Sequence, residues 1–320
     1  DVDERIDVSG MVVLAGAVLA LLVALDQGAD WGWASAPVLG LLVVSICLLA
    51  VFPLVERQVR DPLLPMDLLS NRPFLITLAG NGLCVPAFFI AFLYFPQYMT
   101  KSLNWTTWNA ALGMVPLMVL LSVGSVVSGR FYKVLGPKRL LCIGFLLLFA
   151  GCLAVLFLEP AWGYLGLLLP VMLIGLGATL CVGPAGTASI AAVQEKRAGL
   201  AGGLSFTTHL ICGAVGVAAA TAILYDTSRR ALEAGLSAAG ITLSAADQKV
   251  LIGNDPDNKA AQEIFAKLSA EQVDAARTLL IDAFASGLSN AYWVAVVAAF
   301  FGLVAMLMLD EDKLRTAEAS

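Results

Sequence analysis

Long uncharged apolar segments alternate with polar connections along most of this chain of 320 residues. Each segment has about 18 residues or more, which an α-helix needs to cross the hydrocarbon of a bilayer while satisfying its own backbone hydrogen bonds. The eight segments predicted to be membrane-spanning helices are Val8 to Leu25, Val38 to Val55, Phe74 to Tyr98, Ala110 to Ser128, Leu140 to Leu158, Tyr164 to Val193, Leu200 to Leu224 and Phe284 to Leu309.

The overall composition agrees with a chain built for a bilayer. Hydrophobic residues make up 59% of the sequence and charged residues 13%, and the mean hydropathy is +0.86, whereas a soluble domain carries about a quarter charged residues. The predicted fold class is therefore an all-α membrane protein with eight transmembrane helices. The net charge of −5 and the lack of a basic tract argue that nucleic acid is not a partner.

Lys and Arg in the short connections predict how the chain is threaded, because these residues resist translocation whereas acids count for little. Lys101 stands alone in the short connections on one side of the membrane. We therefore predict a multi-pass protein of the plasma (inner) membrane with both chain ends in the cytoplasm. The basic residues predicted on the cytoplasmic side are Arg5, Arg57, Arg60, Arg72, Arg130, Lys133, Lys138, Arg139, Lys196, Arg197, Lys313 and Arg315.

One connection, residues 226–283, differs from the others in kind. It carries six basic and nine acidic residues, and the stretches Ser228 to Ala239 and Ser269 to Asp282 have helical periodicity. Ser269 and Gln272 have the spacing of a capping box at the start of the second stretch. We predict a soluble loop on the extracytoplasmic side.

No catalytic set can be assembled from this sequence. His209 is its only histidine, and no acidic residue shares a predicted span with it, so a hydrolase triad or a zinc site lacks partners. The six cysteines lie inside apolar segments without C-x-x-C spacing and are interpreted as packing residues. We expect no enzymatic activity, no metal and no cofactor. His209 lies near the bilayer midplane, where an imidazole can bind substrate, sense a proton or simply bond to a neighbouring helix.

The third span combines polar amides, prolines and many aromatic rings. Pro86 and Pro96 each remove a helix hydrogen bond, which a bilayer tolerates only where protein or a cavity satisfies the freed carbonyl. An aromatic, weakly polar wall suits flat lipophilic molecules and cations, although a Phe-rich face can equally meet lipid or another helix. The candidate substrate-binding residues are Asn81, Phe88, Phe92, Gln97 and His209.

A basic turn and a series of glycines are candidates for moving or closely packed parts. Cations of the turn between the fourth and fifth spans could bond helix ends across a moving interface or only retain the turn inside the cell. The candidate gating residues in this turn are Gly129, Lys133, Gly136, Lys138 and Arg139. Glycine allows close helix contact, and proline marks a possible kink; the candidate helix-packing residues are Gly183, Pro184, Gly202, Gly213 and Gly216.

Together these features resemble the major facilitator superfamily, and specifically the carboxyl-terminal portion of its fourteen-helix drug:proton antiporter branch. The resemblance covers nearly the whole chain, eight spans of fourteen, and Lys133 stands where the loop signature of the superfamily has an acid. The matching positions and runs are Gly129, Gly136, Lys138, Arg139, Ala198 to Gly203 and Gly213 to Gly216.

The resemblance implies a bundle of six helices preceded by two extra ones. The corresponding organisation is 1–56, two linker transmembrane helices; 57–73, a cytoplasmic connection; 74–225, five helices of the carboxyl-terminal transport bundle; 226–283, the extracytoplasmic soluble loop; 284–309, the last transmembrane helix; and 310–320, a cytoplasmic tail.

The resemblance also implies export of lipophilic or cationic drugs in exchange for protons by alternating access. The lipid bilayer and an amino-terminal bundle of the same protein are the implied partners. That first bundle has no counterpart in this sequence, so we expect the chain by itself not to catalyse coupled transport. Two alternatives stay open: an exporter of one specific metabolite in the same superfamily, and a non-transporting membrane scaffold that acts through its outer loop.

Overall fold

A computed structural model describes residues 8–56, 71–193, 197–253 and 258–310, and these residues form twelve α-helices with no β-strand among them. Some predicted connections, at residues 57–70, 194–196 and 254–257, and the predicted tail at 311–320, lie outside the described residues. The helices are α1 (Val8–Trp31), α2 (Ala36–Glu56), α3 (Arg72–Leu83), α4 (Val85–Lys101), α5 (Thr107–Gly113), α6 (Val115–Leu135), α7 (Pro137–Leu156), α8 (Gly163–Ala191), α9 (Ala198–Ala238), α10 (Ala245–Gly253), α11 (Lys259–Phe265) and α12 (Ala270–Leu307).

The apolar segments predicted from the sequence correspond to these helices, which confirms the all-α membrane fold. Seven stretches in the described part of the chain are long and apolar enough to cross a membrane, and α3 with α4, like α5 with α6, counts as one of them. The remaining predicted span is α2, whose apolar part, Ala36–Phe52, is a shorter helix.

Proline positions explain why two of the spans are each divided into two helices. Helix α3 stops at Leu83 and α4 begins at Val85, so that Pro86 takes the second position of the new helix. Pro116 takes the same position in α6. A proline lacks the N–H that would continue the helix ladder but is well accommodated in a first turn. The bend expected of the third span is therefore a break at Cys84.

The core of the bundle depends on close backbone contact between α7, α8 and α12. A Cβ atom added to Gly177 of α8 would lie 2.6 Å from the backbone nitrogen of Leu148 in α7. A Cβ on Gly302 of α12 would overlap the buried ring of Phe145. Without a hydrophobic force between helices in lipid, such small residues stabilise the bundle by allowing dispersion contacts and weak backbone contacts. Helix α1 packs against α2 and α9.

The predicted outer loop is not a separate loop, because two membrane helices continue into it. Helices α9 and α12 contain 41 and 38 residues, and at about 1.5 Å per residue each exceeds the ~30 Å hydrocarbon thickness. The predicted helical stretches and the capping box are confirmed: Ser269 Oγ accepts from the Gln272 N–H at 3.3 Å, and the Ser269 N–H donates to Gln272 Oε1 at 3.1 Å.

The described residues of 226–283, called the cap from here on, have a hydrophobic core of their own. The helical spacing of apolar residues persists beyond the membrane segment, which is why α9 and α12 do not end at its edge. The core residues are Leu232, Leu236, Ile241, Leu251, Ile252, Ala261, Ile264, Phe265, Ala276, Leu280 and Ala283.

Near the surface of the cap, Ser244 Oγ donates to the Asp247 carboxylate at 2.7 Å, and this hydrogen bond lowers the pKa of Asp247.

Candidate substrate site

The contact between α4 and α9 places most of the candidate substrate-binding residues. Gly213 faces the ring of Phe89, which a Cβ atom at that position would approach to 2.6 Å. Gly216 lies one turn further along α9 against Pro86, at 2.7 Å from an added Cβ. The two glycines therefore let α9 lie directly on the aromatic part of α4.

A row of aromatic rings lies at this contact between α4 and α9. The ring centroids of Phe88 and Phe89 are 5.7 Å apart, and those of Phe88 and Phe92 are 6.1 Å apart. The imidazole of His209 meets the Phe89 ring edge to face at 5.8 Å. His209 is partly buried, whereas 55% of Phe92 is exposed. Ring faces of this kind attract cations and flat apolar molecules.

Asn81 lies in a helix contact rather than on an open wall. Its side chain is 3% exposed, and its Nδ2 donates to both the backbone oxygen of Ser205, at 2.7 Å, and Ser205 Oγ, at 2.9 Å. Helix α9 is also joined to α4, nearer the cap, by a hydrogen bond between the hydroxyl groups of Tyr94 and Thr221. In this conformation the Asn81 amide nitrogen is occupied by the protein, so we assign it to holding α3 against α9.

Gln97 does not join the other candidates. It follows Phe92 on α4 and lines a cavity of about 560 Å³ near the cap, together with Thr100, Lys101 and Tyr225. The five candidates are thus divided between an aromatic group, a buried helix contact and this outer cavity. Within the described part of the chain, no three His, Cys, Asp or Glu side chains come together as a metal site would require.

The candidate gating residues lie on both sides of the connection between α6 and α7. Gly136 connects these helices with a φ of +78°, in the region that favours glycine. Lys133 is exposed in the last turn of α6, whereas Lys138 and Arg139 lie in the first turn of α7 beside the end of α12. The exposed Gly129 has no atom within 4 Å of an added Cβ, leaving aside its own helix backbone.

The remaining packing candidates differ from one another. Gly202 would place a Cβ atom 3.5 Å from the side chain of Ile190, an ordinary contact, and Pro184 is buried inside the continuous helix α8. Gly183 is a correction: it is exposed, and an added Cβ would meet nothing within 4 Å beyond its own helix. The close contacts of α8 are instead made by residues such as Gly177, because only one side of a helix faces a given neighbour.

Two residues of the site, Phe89 and Ser205, were not among the sequence candidates. Phe89 touches both His209 and the position of Gly213, and Ser205 is the partner of Asn81. Paired glycines in one span do signal a bulky residue opposite them. The sequence contains no information on which ring of the Phe-rich span occupies that place.

The bundle of long apolar helices defines the class of the protein as a multi-pass membrane protein, and an aromatic face lies beside the partly buried imidazole of His209. Comparison with known families agrees with this class. The model of the Major Facilitator Superfamily matches residues 8–217, about two thirds of the chain. The chain belongs to the Major Facilitator Superfamily, whose members are transporters rather than enzymes.

Two relatives are named for drug resistance or drug transport. The chain is 32% identical over 222 residues to the puromycin resistance protein pur8 of Streptomyces alboniger, which covers 67% of this chain and 43% of that protein. It is 25% identical over 329 residues to the multidrug transporter protein MdtP of Bacillus subtilis, covering 98% of this chain and 60% of that protein. The chain therefore spans about half the length of the curated relatives it matches.

A solved structure supports the fold. A bacterial homolog of the human lysosomal transporter Spinster, in an inward-facing and unoccupied conformation, superposes with a TM-score of 0.56 at 14% identity. The superposition covers 97% of this chain and 70% of that one. At this identity the similarity concerns the fold alone.

Proposed function

We propose that this chain forms part of a secondary transporter that exports lipophilic or cationic drugs in exchange for protons. The observation that carries the proposal is the aromatic face of α4 and α9, in which Phe92 is exposed and His209 lies against the ring of Phe89. The names of the drug-resistance relatives support the same cargo. Neighbouring exposed side chains on α9, Phe206 and Leu210, extend this face with further apolar surface.

A second bundle is part of the proposal. Alternating access requires two bundles that rock against each other around a shared site. The described residues provide one six-helix bundle and two additional helices. Helix α6 also carries a line of exposed apolar side chains, including Val119, Val123 and Val126. We propose that the faces of α4, α6 and α9 meet the partner bundle, and that the basic ends of the helices are cytoplasmic.

Transport by the chain alone is the first test. Residues 1–320 are reconstituted into vesicles loaded with ethidium, and a pH gradient is imposed across the membrane. We expect no proton-driven movement of the dye, since only one bundle is present. Proton-driven export by this chain would refute the requirement for a second bundle.

Ligand binding tests the aromatic face itself. Ethidium binding to the chain in lipid nanodiscs is measured by fluorescence titration for the unmodified protein and for Phe92→Ala. A desolvated cation–π contact contributes about 1 to 2 kcal/mol, so the affinity should fall roughly tenfold. Phe301→Ala is the matched control, because Phe301 is 56% exposed but lies on α12. An equal loss in both variants would show that the dye only partitions into lipid.

The same titration carried out as a function of pH tests whether protonation of His209 changes ligand binding. A cation bound on Phe92 and Phe88 near His209 should bind less tightly when the imidazole is protonated, because like charges repel. We expect ethidium affinity to fall between pH 8 and pH 5 in the unmodified chain and to stay constant in His209→Gln. An unchanged pH profile in this variant would remove His209 from the proton-coupling proposal while leaving the binding face intact.

A further inference from the structure

A basic groove lies at the end of the bundle where α7 begins and α12 ends. Lys138 and Arg139, in the first turn of α7, line a cavity of about 740 Å³ together with Asp310. Its other walls include Cys142, Leu307 and Met308. The groove is formed by α7 and α12, whereas the candidate substrate site is formed by α4 and α9.

The charge of this groove favours an anion. Two cationic side chains and one carboxylate leave its lining with a net charge of +1. The first turn of the 20-residue helix α7 adds the positive end of a helix dipole in the same place. Lys138 is partly buried and Arg139 exposed, so the pair can reach a ligand at the level of the membrane surface.

An apolar surface continues from the groove along the same two helices. Leu146 lies two turns into α7 from the basic pair, and Val304 and Leu307 lie on α12; all three side chains are exposed. Deeper in the membrane, the rings of Phe149 and Phe300 meet at 6.1 Å and close the space between the helices. An anionic group bound at Lys138 and Arg139 would therefore lie next to exposed apolar side chains of both helices.

We propose that this groove binds the head group of an anionic phospholipid. The phosphate lies against Lys138 and Arg139, and one acyl chain runs along Leu146 and Leu307. Basic pockets between membrane helices bind such head groups by charge, and the acyl chain of the lipid adds buried apolar area to the contact. A free phosphate ion would contact only Lys138 and Arg139 and would gain nothing from the apolar side chains. The difference in affinity therefore distinguishes a lipid head group from free phosphate. The site goes beyond the proposed export function and does not depend on it.

The experiment counts lipids bound to the whole chain. Residues 1–320 in detergent are titrated with dioleoylphosphatidylglycerol or dioleoylphosphatidylcholine, and complexes are quantified by native mass spectrometry. For Lys138→Gln/Arg139→Gln we expect the affinity for the anionic lipid to fall at least tenfold, with binding of the zwitterionic lipid unchanged. Arg130→Gln/Lys133→Gln is the matched control, because it removes the same charge from exposed residues of α6 and should retain the affinity.

Three further measurements test the proposal. Leu307→Gln should weaken phosphatidylglycerol binding several-fold, and inorganic phosphate alone should bind at least a hundredfold less tightly than the lipid. Arg139→Lys keeps the charge and should keep most of the affinity, which guards against a variant that fails because it does not fold. Equal losses in the two double variants, full retention by Lys138→Gln/Arg139→Gln, or phosphate binding as tight as lipid binding would each overturn the proposal.

Discussion

The membrane bundle and the cap share two helices but differ in how closely their helix backbones approach one another. In the bundle, glycines such as Gly177 and Gly302 bring α7, α8 and α12 together so closely that added Cβ atoms would strike backbone or ring. In the cap, Gly235 of α9 would place a Cβ atom 2.5 Å from Leu279, a side chain rather than backbone, and apolar side chains such as Leu232 fill the remaining space. Close backbone contact suits the bundle, because lipid provides no hydrophobic force between helices.

The side chain of Lys101, at the end of α4 that faces the cap, connects these two regions. Lys101 is 8% exposed, donates a hydrogen bond from Nζ to the backbone oxygen of Ile252 at 2.8 Å, and lies 5.0 Å from the ring centroid of Phe284. Ile252 belongs to α10 of the cap, and Phe284 to α12. The lysine that stood apart in the charge pattern thus holds the cap on the bundle.

The largest effect is expected from a substitution that disrupts helix packing in the bundle but not in the cap. Gly177→Ala places a methyl group against the backbone of α7, so the helices must separate, and overpacking of this kind costs about 3 kcal/mol. Thermal unfolding of the purified chain in detergent, followed by circular dichroism, measures the loss. Gly183→Ala in the same helix is the control and should leave stability unchanged or raise it by up to about 1 kcal/mol, because alanine has the higher helix propensity. Equal shifts in the two variants would contradict the glycine contact.

A smaller effect is expected from separating the two regions. Lys101→Met leaves the Ile252 carbonyl without its donor, at a cost of about 1 to 3 kcal/mol. Hydrogen exchange in α10 should accelerate by roughly tenfold or more, while exchange in α7 and α8 stays the same. Lys259→Met changes an exposed lysine of the cap and serves as the control. Unchanged exchange in α10 would show that the cap is held by its apolar contacts alone.

The smallest expected effect is confined to the cap. Ser269→Ala removes the N-cap side chain of α12 and should lower local stability by about 1 kcal/mol. Faster exchange of the amides in residues 270–275 is the measurement, and the bundle helices should not respond. Ser237→Ala, an exposed serine in the last turn of α9, is the control. An effect spreading into α7 or α8 would mean that the cap and the bundle unfold together.

The features predicted correctly are those that depend on neighbouring residues or on the bilayer. The spans follow from the length that hydrocarbon imposes on a helix, and the capping box of Ser269 and Gln272 follows from spacing within one turn. The continuity of α9 through the membrane edge was missed, because Asp226 and Arg229 mark a change of solvent rather than the end of a helix. Exposed charges are compatible with a helix whose apolar stripe continues.

Contacts between distant parts of the chain could not be predicted in this way. Asn81 was expected to line a pocket and bonds to Ser205, and Gln97 lines a cavity that does not include Phe92. Gly183 and Gly177 look alike in the sequence, yet only Gly177 meets another backbone. Which side of a helix meets a neighbour depends on the arrangement of the whole bundle.

The sequence by itself determined that this chain is a set of apolar helices with basic ends and a polar insertion of helical periodicity, since hydropathy, charge and capping act over a few residues. Only the tertiary structure decided that Lys101 holds the cap, that Phe89 lies against His209, and that Lys138 and Arg139 face the end of α12. Each of these pairs is separated by more than a hundred residues along the chain. Their proximity is fixed by how the helices pack, and hydrophobic patterning constrains that packing without specifying it.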